Sequence, residues 1–181
     1  MTPYIIDSPD KPGCHGQDVL ASLRDTWGGD VKHVIIDKDC NGREPFSGLA
    51  AAIRSTRDTM TSPAPVNVSW GAGDSRNPIR RALTQYLYES GSYDRSHPQA
   101  VYEDTGGIVV YASGNDDNDE GVSGSAAGLY SIAVGAYNTG NGTIYDWANR
   151  WQGLLVDYWA DGKAPSGALG TSFAAPRVTG A

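Results

Sequence analysis

Ser172 is the residue around which chemistry can be built. It stands in the run Gly170-Thr171-Ser172-Phe173-Ala174-Ala175-Pro176-Arg177-Val178, nine residues before the last, Ala181. Gly170 allows a sharp turn and the close approach of another backbone. Ala174, Ala175 and Val178 suit a buried face, so the run predicts a helix that begins at the serine. Pro176 is compatible with a first helical turn, where no N–H is needed. A helix start offers unpaired N–H groups and the positive end of the dipole. Negative charge developing beside a serine oxygen would be favoured there. The plainer alternative is a helix start in a small-residue turn, and the partners of Ser172 decide between the two.

The elements that must position such a serine alternate between strand and helix. Tyr4 to Ile6 reads as a short buried strand ending at Asp7, and Ser8 to Gly13 as a turn-rich connector. His15 to Leu23 reads as a helix with Val19, Leu20 and Leu23 on one face. Val31 to Ile36 is a second strand, Asp37 to Arg43 a polar turn, and Ser47 to about Arg57 a second helix with Leu49, Ala50 and Ile53 inward. Val66 to Ser69 is a third strand. Asn77-Pro78 caps a helix running through Ile79, Leu83, Tyr86 and Leu87. Gly91 to Gly107 is a polar insertion with one turn of helix at Ala100 to Asp104. Ile108 to Tyr111, Ser131 to Ala136 and Leu154 to Trp159 are further strands. Such alternation implies an α/β fold with a mostly parallel sheet covered on both sides. Sites in these sheets lie at the carboxyl ends of strands. Asp7, Ser69, Asn115 and the turn before Ser172 all fall at such ends or just past them.

The run from Gly170 to Val178 resembles the active-site serine block of the subtilisin-like serine proteases, the subtilases or peptidase family S8. Three further stretches carry the resemblance: Ile5-Ile6-Asp7-Ser8, His15-Gly16 with Val19, and the strand from Gly107 ending in Ser113-Gly114-Asn115. The resemblance spans Tyr4 to Ala181 with gaps. It implies a three-layer α/β/α peptidase domain over residues 1–181, shortened at both ends. It also implies a serine endopeptidase in which Ser172 attacks the peptide carbonyl and His15 acts as general base, then acid. Asp7 would hold the imidazole tautomer, and Asn115 would join the Ser172 N–H in an oxyanion hole. The order Asp7, His15, Ser172 is the aspartate-histidine-serine order stated for subtilisin. Asp10 is the alternative carboxylate, while His33 and His97 lack the sequence context of His15. Ser69-Trp70-Gly71 and Ser113-Gly114 would line the substrate, the first as a backbone edge for an extended peptide.

Departures from the family are specific. Gln17 and Asp18 stand where it has threonine and a second histidine. An inward-pointing Asp18 would raise the pKa of His15. Only seven residues separate Asp7 from His15, although an extended chain at about 3.3 Å per residue reaches easily. Trp147 and Trp151 occupy a stretch where small polar residues are usual. The competing expectation is an inactive or truncated subtilase-like domain that binds peptides without cutting them. An esterase or peptide ligase using the same acyl-enzyme is a third.

Composition narrows the partners. The chain has 181 residues, 39% hydrophobic and 19% charged, with 23 glycines. That suits one soluble domain with a real core. A net charge of −7 argues against nucleic acid or an anionic membrane as partner. A polypeptide substrate and a monomer are expected. No apolar run is long enough to span a bilayer and no signal peptide precedes the first strand, so secretion to the extracellular space is implied only by the resemblance. Cys14 and Cys40 allow one disulfide without settling the redox compartment. A reactive thiol at Cys14 is less favoured than a structural role. No organic cofactor is required. The run Asp116 to Glu120 offers oxygens of the kind calcium prefers, in a spacing unlike an EF-hand, so calcium has no assignable site.

Overall fold

The computed structural model describes residues 1–41, 46–69, 98–116, 131–150 and 156–181. Along the chain these form β1 (Tyr4–Asp7), α1 (His15–Arg24), β2 (Lys32–Ile35), α2 (Phe46–Thr59), β3 (Pro65–Val68) and α3 (Pro98–Thr105). There follow β4 (Ile108–Ala112), β5 (Ser131–Asn138), β6 (Thr143–Ile144), β7 (Tyr158–Asp161) and α4 (Thr171–Gly180).

The described strands form one sheet in the order β2-β1-β3-β4-β5, with β7 parallel and β6 antiparallel to β5. The central strands read as continuous apolar runs because both faces are covered, and side chains alternate between them. Tyr4, Ile6, Val109 and Tyr111 face a core closed by Leu49, Ala52 and Ile53 of α2 and Val101 of α3. Ile5 faces Val19, Leu20 and Leu23 of α1, while Val110 and Ala112 face Ala174 and Ala175 of α4. The result is the expected three-layer α/β/α arrangement.

The sheet also fixes where a site can lie. From β1 the chain crosses through α1 to β2 on one side. It then crosses through α2, on the opposite face, to β3 on the other side of β1. The crossovers therefore diverge from β1 and β3, and the carboxyl ends of these two strands border the crevice where α/β proteins bind ligands. Asp7 ends β1 and Ser69 follows β3.

Several sequence expectations shift. Of the strand expected at Leu154 to Trp159, residues 154–155 lie outside the described residues, and the strand observed runs from Tyr158 to Asp161. Asp157 marks its start: its N–H donates to the Ala133 carbonyl at 2.9 Å and its carboxylate accepts the Ala133 N–H at 2.8 Å. Gly135 lies opposite Trp159, and a Cβ there would fall 2.3 Å from the indole ring. The single helical turn expected near Ala100 extends over eight residues, and the two-residue β6 was not anticipated. The helix expected from Asn77 lies outside the described residues.

Candidate active site

The first half of the site is built by β1 and α1. Asp7 is fully buried, and its Oδ1 accepts from the Ser8 N–H at 2.7 Å and the Ser8 hydroxyl at 3.2 Å. Nδ1 of His15 lies 2.9 Å from Oδ1 and 3.1 Å from Oδ2 of the same carboxylate. The connector between them is closed by backbone bonds from Lys11 to Pro9 and from Cys14 to Lys11. Ser8 Oγ in turn accepts the Gly16 N–H at 2.8 Å, tying the start of α1 to the end of β1. Gly16 is needed for that approach, because a Cβ there would sit 1.8 Å from the Ser8 carbonyl oxygen. The His15 ring, about one-third exposed, packs against Phe173 of α4 with centroids 5.5 Å apart.

Burial of the His15 ring acts to lower its pKa. The Asp7 hydrogen bond, the Asp7 charge and the Asp18 charge together outweigh that and hold it above the ordinary 6.5. The expectation for Asp18 thus has the right sign. Cys14, immediately before His15, is joined to Cys40 in a disulfide with Cα atoms 5.1 Å apart. Cys14 is therefore not a thiol. The bridge draws the turn after β2 alongside His15, where both line a cleft of about 580 Å³ with Asp18, Asn41 and Phe173.

The second half is built on α4. Gly170 precedes the helix and Ser172 is its second residue. Gly170 is extended, at φ 175°, and a Cβ there would make only ordinary contacts from 3.4 Å outward. Neither the sharp turn nor the close approach expected of it is needed. Pro176 is the sixth helical residue, not part of the first turn as expected. Four residues before it stands Ser172, whose carbonyl therefore has no helical N–H to receive. The Ser69 hydroxyl donates to that carbonyl at 2.8 Å, and the Ser172 hydroxyl donates to the Ser69 carbonyl at 3.1 Å. Ser69 is buried and also accepts from Asn67 Nδ2 at 2.9 Å.

Asn115 lies beside the helix start. Its Oδ1 accepts the Thr171 N–H and the Thr171 hydroxyl, both at 2.9 Å. A backbone N–H needs an acceptor, so the oxygen must face Thr171 and the amide N–H₂ points elsewhere. Thr171 Oγ1 also accepts the Gly114 N–H at 3.2 Å. Gly114 has φ +110°, a conformation that favours glycine. Ser113 is buried and its hydroxyl donates to the Asn149 carbonyl at 3.3 Å.

The fold therefore brings Asp7 to His15, Ser69 to Ser172, and Asn115 and Gly114 to the start of α4, while Ser113 bonds to Asn149 and Val134. Trp70, Gly71 and residues 117–120 of the acidic run lie outside the described residues. Among the described residues no cluster of three metal-ligating side chains occurs and no helix is long and apolar enough to cross a membrane. Sequence reasoning missed Asn67, Asn149, Thr171 and Arg177. Asn67 and Asn149 are fully buried asparagines, but a buried polar residue carries no signal until the fold is known. Arg177 donates to the Phe173, Asp161 and Lys163 carbonyls at 2.8 Å, and to Asp25 at 2.6 Å, fixing α4 against its surroundings.

A three-layer α/β fold with a serine helix at the β1/β3 crevice defines a subtilisin-like architecture. Solved structures agree. A cold-adapted subtilisin-like serine proteinase matches with TM-score 0.65 at 20% identity, over 99% of this chain and 72% of that one. A lanthipeptide protease matches with TM-score 0.74 at 16% identity, over the same shares. The subtilase family model matches residues 50–181, and the chain belongs to that family. The match includes Asn115 and Ser172 and begins after Asp7 and His15. An extracellular serine proteinase from Thermus sp. (strain Rt41A) is 28% identical over 92% of this chain, which spans 40% of that protein's length.

Proposed function

We propose that this chain is a serine endopeptidase acting through Asp7, His15 and Ser172. His15 accepts the Ser172 proton as the hydroxyl attacks a peptide carbonyl, and then delivers it to the leaving amine. Asp7, on Nδ1, makes Nε2 the working nitrogen and stabilises the imidazolium. The Asn115 amide and the Ser172 N–H stabilise the oxyanion, and water then releases the acyl group. The substrate is a polypeptide, met by a monomeric and secreted protein; no organic cofactor enters the chemistry. The observation that carries this reading is the buried carboxylate of Asp7 held 2.9 Å from His15 Nδ1.

A serine-directed phosphonate tests it. Stoichiometric modification at Ser172, abolished in His15→Ala, is the expected result. A folded sample that stays unlabelled overturns it. The contact of the Ser172 hydroxyl with the Ser69 carbonyl favours a second reading, a peptide-binding domain without cleavage. That reading expects peptide binding with no labelling.

A further inference from the structure

We infer that Asn149 is a positioning residue for the oxyanion-stabilising amide of Asn115, an inference that rests on the endopeptidase reading. Beyond Ser113, whose N–H still bonds to the Val134 carbonyl, the chain leaves β4 and its polar groups need other partners. Asn149, fully buried, supplies them. Its N–H donates to the Gly114 carbonyl at 3.0 Å, and its Oδ1 accepts the Asp116 N–H at 2.8 Å. Its Nδ2 donates to the Ser113 carbonyl and to Asp116 Oδ2, each at 3.2 Å. One side chain thus grips the residues before and after Asn115 and leaves Asn115 itself outside the grip.

The geometry is exclusive. At Gly114 a Cβ would fall 2.2 Å from Asn149 Nδ2, so the Asn149 amide fills the space that any side chain at this positive-φ position would need. Asn115 is then held from two sides. Asn149 fixes its backbone, and Thr171, bonded to both Gly114 and Asn115, fixes its amide oxygen. With the oxygen anchored, the direction of the N–H₂ follows. Asn149 touches no reacting atom in this scheme. It acts by deciding where the Asn115 nitrogen stands, and a donor displaced by about 1 Å can lose about 100-fold in rate.

The test uses the whole chain with two variants, Asn149→Ser and Asn149→Asp, the second keeping the side-chain volume. In ¹H–¹⁵N spectra the Asn115 side-chain amide pair is identified by its loss in Asn115→Ala. Both variants are expected to shift or double that pair. Per phosphonate-titrated site, kcat is expected to fall about 10- to 100-fold with KM nearly unchanged. In an Asn115→Ala background, Asn149→Ser should cost no further kcat, because the group it positions is gone. An unchanged amide pair in both variants, or losses that multiply in the double variant, overturns the inference. A parent chain that fails to label overturns the endopeptidase reading instead, and the amide spectrum still decides the role of Asn149.

Discussion

Ser69 and Ser172 exchange hydroxyl-to-carbonyl hydrogen bonds, at 2.8 Å in one direction and 3.1 Å in the other. Pro176 explains the first. It removes the N–H that would have received the Ser172 carbonyl, and Ser69 replaces it from the end of β3. On the proposed endopeptidase reading, the second means that the Ser172 proton must change partners before His15 can take it.

Ser69→Ala should therefore destabilise the chain by about 1–3 kcal/mol, the cost of leaving buried polar groups unpaired. The Ser172 carbonyl and Asn67 Nδ2 both lose a partner. Adding Pro176→Ala restores a helical N–H to the carbonyl and should recover part of the loss. Urea unfolding of the single and double variants measures both. Equal stability of Ser69→Ala and the parent would remove this account of the helix.

The pH dependence follows from His15. General-base catalysis requires the neutral ring, and its pKa in the folded chain is raised above 6.5. The acid limb of kcat/KM is thus expected above pH 6.5. Asp18→Asn removes one charge that raises the pKa and should move the limb to lower pH. The folded state holds this proton more tightly than the unfolded chain does, so the pair's stabilising contribution is complete below pH 6.5. It is lost as pH rises through the higher folded value. The urea midpoint at fixed temperature should show the same trend, diminished in Asp18→Asn. A limb unmoved by Asp18→Asn would exclude Asp18 from tuning the ring.

Gly16 ties the histidine to the aspartate. Its N–H binds Ser8 Oγ, and Ser8 N–H binds Asp7. In Gly16→Ala the new methyl meets backbone at 1.8 Å, so α1 must move away from β1. The expected loss is about 3 kcal/mol, at the upper end for overpacking. The phosphonate labelling rate should fall in fully folded samples as well, because His15 begins the displaced helix. A labelling rate equal to the parent's would show that the pair tolerates the shift.

What the sequence disclosed follows physical lines. The strands β1, β4 and β5 were legible because burial on both faces writes an unbroken apolar run. α1 was legible because Val19, Leu20 and Leu23 repeat at helical spacing. Asp7, His15, Asn115 and Ser172 were singled out because each lies at the end or start of such an element, or just past it, within a stretch that resembles the family. Asn149, Asn67 and Thr171 were not, since their roles depend on which strand ends the fold brings together. Ser69 was assigned to the substrate edge through its backbone; the bond of its hydroxyl to the Ser172 carbonyl was not foreseen, because it answers the N–H that Pro176 lacks. The carboxylate of Asp157 on the Ala133 N–H was not legible either, since it joins residues 24 apart in sequence.

The Cys14–Cys40 bridge gives the last prediction. It closes a loop with a sequence separation of 26, for which the chain-entropy model gives about 3.5 kcal/mol. It also holds the turn after β2 against the residue that precedes His15. Cys40 has φ 56°, a backbone conformation uncommon outside glycine, and its N–H donates to the Asp37 carbonyl at 3.2 Å, so the cross-link and a backbone bond meet in this turn. Cys14→Ser/Cys40→Ser should lower the urea-unfolding free energy by about this amount and slow labelling at Ser172 in folded samples. A dithiol reductant should reproduce both effects in the parent and neither in the double variant. Alkylation with iodoacetamide before reduction should add no mass, since both sulfurs are bonded. Two additions to unreduced protein would show free thiols and remove the cross-link from the site.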